Sequence, residues 1–174
     1  MLRTRPVHVA FQPESKVTAL VLSLNGDITA WAEGDGQVFI ARHEHSKFTV
    51  TGSWKASSMV RGMVLRGNSL YVLDDAHGLS CLDTNGNIQW QFEIGAGGFD
   101  LQKTPSGLAI VDGLGRLFFF QYDGTEVTLP NSYQDILHMQ VVGDYLILAH
   151  ENGRVQALVN GVLAWIRPVR GEKG

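Results

Sequence analysis

The side chains of this chain that could do chemistry gather in four short segments, each closed by glycine. They read Glu33-Gly34-Asp35-Gly36, Asp74-Asp75-Ala76-His77-Gly78, Asp112-Gly113-Leu114-Gly115 and His150-Glu151-Asn152-Gly153. Every segment carries an acid, and two add a histidine. Carboxylates and imidazoles brought together could hold a metal ion, or present a negative surface to a basic partner. The competing explanation is local. Asp, Asn and Gly are what tight turns use, because their side chains bond nearby backbone and they tolerate positive φ. His43 and His45 form a second arrangement, H-E-H, whose imidazoles share one side of an extended segment. Zinc would need a third or fourth ligand, and the neighbouring sequence offers none.

Catalytic signatures are thin. The Gly-x-Gly pairs at Gly34/Gly36 and Gly113/Gly115 lie between strands, as does Gly95-Ala96-Gly97-Gly98, so none is the strand-to-helix phosphate loop. G-x-S-x-G and H-E-x-x-H do not occur. Cys81 is the single cysteine, which leaves no intrachain disulfide and no cysteine-based zinc site of the usual kind. These observations predict no catalytic, cofactor-binding or metal residues and no bound cofactor.

The elements that must position the four segments are short β-runs. Leu70–Leu73 stops at Asp74–Gly78, Leu79–Leu82 stops at Asn85-Gly86, and Ile88–Ile94 follows with Trp90 inside it; two glycine turns joining three β-rich runs make a meander. Val60–Leu65 precedes them as a fourth strand. The same paragraph recurs as 19–23, 28–31, 38–42 and 48–54, as 99–103, 108–111, 116–122 and 125–129, and as 137–142, 145–149, 155–159 and 162–166. The second turn of each unit ends at Gly36, Gly78, Gly115 and Gly153, and the third at Gly86, Gly124 and Gly161. Both markers repeat about every forty residues, the period of a four-stranded β-propeller blade. Trp90 and Trp165 each lie four residues after their glycine; Thr128 occupies that place in the third unit, and the first has Trp54 without the glycine. A β-sandwich would also use short strands at this spacing.

The predicted fold is therefore all-β, a propeller of about four four-stranded antiparallel blades covering roughly 16–57, 58–95, 96–134 and 135–168. Residues 1–15 form an N-terminal strand (Pro6–Phe11) and linker, and 169–174 a tail. The stretch C-L-D-T-N-G-N-I-Q-W, Cys81 to Trp90, resembles the tail of the quinoprotein-type (PQQ-type) repeat, with its small residue, aspartate, turn glycine and later tryptophan. A-L-V-N-G-V-L-A-W, Ala157 to Trp165, is similar but lacks the aspartate. H-E-N-G-R-V-Q-A-L, His150 to Leu158, resembles a WD repeat, although that family's Gly-His and Trp-Asp dipeptides are missing. The resemblance implies that Trp90 and Trp165, with Trp54 in the first unit, dock each blade on its neighbour.

Four units are fewer than the seven or eight that this repeat type implies. The chain is then part of a longer propeller, a half whose two copies close an eight-bladed ring as a homodimer, or a four-bladed ring closed alone. The orphan strand at Pro6–Phe11 favours the first two.

With 174 residues, 44% of them hydrophobic and 18% charged, the chain can bury one sizeable core. A net charge of −3 gives no basic footprint for nucleic acid. No run approaches the roughly 20 apolar residues that span a bilayer, and no secretory leader is visible, so the expected location is the cytoplasm. The function these features predict is a non-catalytic interaction module that binds a protein partner or assembles through its blade faces. The partner-binding loop face would comprise Glu33, Asp35, Asp74, Asp75, His77, Asp112, His150 and Glu151. The opposed expectation is part of a quinoprotein-like or other propeller enzyme, with a ligand or metal site at the axis.

Overall fold

The structure, a computed structural model, describes residues 13–44 and 47–168. The predicted strand at Pro6–Phe11, His45 of the H-E-H segment and the tail lie outside these residues. Alternating β-branched, aromatic and polar residues cut by glycine turns give strands throughout, and no helix forms among the described residues.

Sixteen strands make four antiparallel sheets, each a meander in sequence order. Blade 1 contains β1 (Val17–Leu22), β2 (Ile28–Glu33), β3 (Gln37–Glu44) and β4 (Lys47–Lys55). Blade 2 contains β5 (Val60–Arg66), β6 (Ser69–Asp74), β7 (Gly78–Asp83) and β8 (Ile88–Glu93). Blade 3 contains β9 (Gly98–Lys103), β10 (Leu108–Asp112), β11 (Leu117–Phe120) and β12 (Glu126–Val127). Blade 4 contains β13 (Ile136–Val142), β14 (Tyr145–His150), β15 (Arg154–Val159) and β16 (Val162–Pro168). The first strand of each blade is innermost: β1 lies against β5, β5 against β9 and β9 against β13.

Period-two alternation sends one side of each sheet to the preceding blade and the other to the following blade. Leu70 and Val72 of β6 thus enter a core with Ile28, Ala30, Val38 and Ile40 of blade 1. Their neighbours Tyr71 and Leu73 enter a core with Leu101, Leu108, Ile110 and Phe120 of blade 3. A third core joins Ala109, Val111 and Phe119 to Met139, Leu146 and Leu148. Three interblade cores hold four blades.

The arc is open. Ladder pairing gives Leu20 in β1 the place that Leu101 holds in β9, because each sits opposite the residue two before its blade's second-turn polar residue (Trp31 and Ile110). Leu101 is 6% exposed against the preceding blade, whereas Leu20 is 62% exposed. Leu22 and Val50 of blade 1 and Tyr145, Val162 and Trp165 of blade 4 are likewise exposed.

Two details depart from the sequence reading. The strand expected over 125–129 shrinks to Glu126–Val127, since only these two residues bridge to β11 before Pro130 ends the run. Register also reassigns the position of Trp90. Trp90 faces Cys81; its counterparts are Trp165 facing Ala157, Val127 rather than Thr128 facing Phe119, and Gly52 rather than Trp54 facing Ile40. Trp54 instead faces Val38, two residues further along, and packs into the first interblade core.

Candidate functional site

The second turns (β2–β3, β6–β7, β10–β11 and β14–β15) and the interblade crossovers are joined in one hydrogen-bonded belt. Ala56 N donates to Gly36 O at 3.0 Å, and Asp75 N to Met59 O at 3.1 Å, so the first crossover is tied to the turn on either side. Ile94 N donates to His77 O at 2.7 Å and Gly113 N to Gly97 O at 3.2 Å, and the third crossover repeats the pattern through Ile136 N to Gly115 O and Glu151 N to Asp135 O. This close approach of backbones leaves no room for side chains at several glycines, Gly36 and Gly113 among them. A Cβ on Gly36 would stand 2.5 Å from Ser58 O, and one on Gly113 2.6 Å from Ala96 O.

Within the belt the chemistry-bearing residues divide by depth. Glu33, Asp74, Asp112 and His150 hold equivalent positions at the ends of second strands and are buried, at 1–5% exposure. Each serves its own turn or crossover. Asp74 Oδ1 accepts from Ala76 N at 2.9 Å and His77 N at 2.7 Å. Asp112 Oδ1 accepts from Leu114 N and Arg116 N, while its Oδ2 takes the Arg116 guanidinium at 2.6 Å. Glu33 Oε2 accepts from the amide and hydroxyl of Ser15, and its Oε1 has no partner among the described residues. His150 Nδ1 lies 2.8 Å from Gln134 O, so that nitrogen carries the proton; its buried Nε2 has no partner among the described residues.

Asp35, Asp75, His77 and Glu151 remain at the surface. Asp35 meets Lys55 Nζ at 2.6 Å, and that hydrogen bond holds its carboxyl below the usual carboxylate range. Asp75 meets Arg61 at 2.7 Å. Among the described residues no three His, Cys, Asp or Glu side chains come together as a metal site.

The belt also contains residues that the sequence did not single out. In all four blades the inner ladder shifts register at one place, between Val17 and Ala19, Val60 and Gly62, Gly98 and Asp100, and Ile136 and His138. Such bulges re-aim the extra side chain. The bulged residues are Thr18, Arg61, Phe99 and Leu137. Phe99 is 49% exposed and Leu137 44%, and with Leu114, 65% exposed, they frame a hollow of about 280 Å³ between blades 3 and 4. Asp135 and Glu151 complete its rim. No sequence signal marks a bulge, and these residues are far apart in the chain.

Junctions between the outer strands complete the geometry. An added Cβ on Gly124 would stand 2.8 Å from the Trp90 indole, so that ring lies flush on the third turn of blade 3. Tyr71 flanks the same indole at 5.9 Å between ring centroids.

Four-stranded meanders stacked by their faces around inner strands define a β-propeller, here four blades long. No protein-family model matches the sequence, and no curated protein is similar to it. Solved structures share the fold. The Cps50 (Swd1) β-propeller domain of Myceliophteria thermophila superposes with a TM-score of 0.74 at 14% identity, over 91% of this chain and 56% of that one. BamB of Moraxella catarrhalis gives 0.71 at 14% identity, over 90% and 54%. The computationally designed Ika4 protein gives 0.71 at 12% identity, over 85% and 93%. This chain thus spans about half the length of the two natural propellers and nearly the whole of the designed one.

Proposed function

We propose that this chain is a non-catalytic propeller module that binds a protein partner on its second-turn face. The observation that supports the reading is the hollow between blades 3 and 4. Phe99, Leu114 and Leu137 are exposed together on a belt that is otherwise hydrogen-bonded and rigid, and exposed apolar groups gathered in one patch mark interaction surfaces. Asp135 and Glu151 add negative charge at its rim, and Asp35, Asp75 and His77 extend the polar surface around the belt. The fitting partner is a peptide segment that carries an apolar anchor beside lysine or arginine. Glu33, Asp74, Asp112 and His150 support that face from beneath by fixing the turns.

A phage-displayed random peptide library selected on the immobilised chain tests this. Binders rich in apolar-plus-basic motifs, weakened by salt and lost in Leu114→Ser and Glu151→Lys, are the expected result. Selection of no motif, or motifs that bind both variants as well as the parent, would overturn it.

A second reading concerns assembly, and the exposed faces of blades 1 and 4 favour it. An open arc with apolar ends is completed by more blades, either those of a second copy closing an eight-bladed homodimeric ring or blades of another source. The half-length match to the two natural propellers accords with both. Light scattering separates them: a dimer at twice the 19.1 kDa chain mass supports the homodimer, and a monomer at all concentrations excludes it.

A further inference from the structure

The face opposite the second turns carries a different chemistry. There the first turns of blades 1 and 2 and the end of β9 border a hollow of about 280 Å³, with Ser23, Asn25 and Asp27 from blade 1, Arg66 and Asn68 from blade 2 and Lys103 from blade 3. Its mouth is unobstructed, since a Cβ added at Gly26 or Gly67 on the two turns would meet nothing within 4 Å. A volume near the lower end of the roughly 300–1,000 Å³ of small-molecule sites suits a small ligand rather than a folded partner.

Two cations share this hollow without a partner of their own. Neither the Arg66 guanidinium nor the Lys103 ammonium makes a hydrogen bond or ion pair among the described residues. Arg66 is nevertheless held in place. Its guanidinium carbon lies 4.1 Å from the centroid of the Tyr122 ring, and that ring is anchored by Tyr122 Oη donating to Thr104 O at 2.6 Å. Stacking occupies the face of the guanidinium and leaves its N–H edge for a ligand. The blade repeat does not demand a cation here. Arg66 closes the first turn of blade 2 by pairing with Ser69, and at the matching place in blade 4 Val142 pairs with Tyr145. Among the described residues Asp27 is the one acid on the lining. It accepts from Ser23 Oγ at 2.7 Å, a hydrogen bond that keeps its carboxyl below the usual carboxylate range and ionised at neutral pH.

We propose that this hollow binds a small phosphorylated polyol, its phosphate on Arg66 and Lys103 and its hydroxyl groups on Asp27 and the Asn25 and Asn68 amides. A phosphate monoester carries a charge of about −1.5 to −2 near neutral pH, which two cations match, and the planar guanidinium fork fits its oxygens. The carboxylate selects what accompanies the phosphate. It repels a second anionic group and accepts from hydroxyls, so an acidic peptide is disfavoured and a sugar-like body is matched. The site is separate from the peptide surface on the second-turn face, and neither reading depends on the other.

Titration of the isotope-labelled full chain at low salt with glycerol 3-phosphate, ribose 5-phosphate and glucose 6-phosphate, followed by amide NMR, tests this, with inorganic phosphate and glucose as references. The expected result is saturable shifts centred on Asn25, Gly26, Gly67 and Asn68, with at least one ester bound about tenfold more tightly than inorganic phosphate and glucose not bound. Arg66→Gln and Lys103→Gln should each weaken that ester by about tenfold, while Lys55→Gln, in the ion pair with Asp35 on the other face, leaves it unchanged. Asp27→Asn should weaken the ester and strengthen inorganic phosphate, a split that simple charge attraction does not produce. Esters bound no more tightly than inorganic phosphate, or binding indifferent to Arg66→Gln and Lys103→Gln, would overturn the proposal. So would tighter binding of an oligoglutamate peptide, which would assign the hollow to an acidic partner. The ratio of ester to inorganic phosphate affinity is measured on the unaltered chain, so the proposal stays falsifiable should a variant not fold.

Discussion

Trp90 and Trp165 occupy the same place in their blades and differ in what covers them, so removing each reads the contribution of one interblade junction. A tryptophan offers roughly 150–250 Å² for burial, and truncating a large aromatic to alanine in a core costs about 3–5 kcal/mol. Trp90 is half-buried, pressed on Gly124 and flanked by Tyr71, which places Trp90→Ala near the lower end, about 3 kcal/mol. Trp165 is 36% exposed, and Trp165→Ala should cost about 1 kcal/mol. For a chain of this size each kcal/mol moves Tm by about 2–4 °C, so the expected losses are about 6–12 °C and about 2–4 °C. Gly124→Ala tests the contact from the other side. Its added methyl collides with the indole and must also adopt positive φ, whereas in a Trp90→Ala background only the backbone strain remains. The double-mutant cycle should therefore show the glycine substitution costing at least about 1 kcal/mol less when the tryptophan is absent. Equal Tm losses for the two tryptophan variants, or an additive cycle, would refute the reasoning.

Other positions carry their own expectations. Asp112→Ala strips two amides and the Arg116 guanidinium of their shared acceptor and should lower stability by about 2 kcal/mol in chemical denaturation; Asp35→Ala, whose ion pair with Lys55 is exposed, should leave the midpoint unchanged. Gly97→Ala would drive a methyl into the Asp75 carbonyl at a positive φ of 69°, and it should cost more than about 3 kcal/mol or leave the protein insoluble on expression. Burial raises the pKa of the Cys81 thiol above its ordinary 9.0 and of the Tyr71 and Tyr122 phenols above 10.0. The folded state therefore holds these protons longer than the unfolded chain. That contribution is intact below pH 9.0 and declines as pH rises through the unfolded values. Denaturation midpoints measured from neutral to alkaline pH should fall above that point, and a rising midpoint would contradict the assignment.

The repeat was legible because its markers are backbone requirements. A third turn that adopts positive φ beneath a neighbouring strand admits almost nothing but glycine, so Gly86, Gly124 and Gly161 record the period directly. Strand identity followed from alternation, and each of the sixteen expected strands within the described residues is present. Exact register was less legible. Blade 1 has a longer outer hairpin, with an eight-residue β3 and a nine-residue β4 that bulges against it between Ile40 and Ala41. Counting from turns therefore could not show that Gly52, not Trp54, stands where Trp90 does. The acidic turns showed a similar limit. Sequence marks Asp74 and Asp75 as equals, yet strand alternation and the crossover beside them bury the first and expose the second. Phe99, Leu114 and Leu137 carry no local signature, since their meeting depends on two bulges and on the stacking of separate blades.

The four blades form an open arc, and a closing contact tests this directly. Gly62 of blade 2 and Leu101 of blade 3 are direct neighbours across β5 and β9, a Cβ on the glycine standing 3.1 Å from that of the leucine. The equivalent pair across a closed ring would be His138 in β13 and Leu20 in β1. Oxidation of a His138→Cys/Leu20→Cys variant at high dilution should produce no intrachain disulfide, while a Gly62→Cys/Leu101→Cys control cross-links readily. Rapid intrachain cross-linking of the first pair would mean that the four blades close on themselves, and would contradict the account.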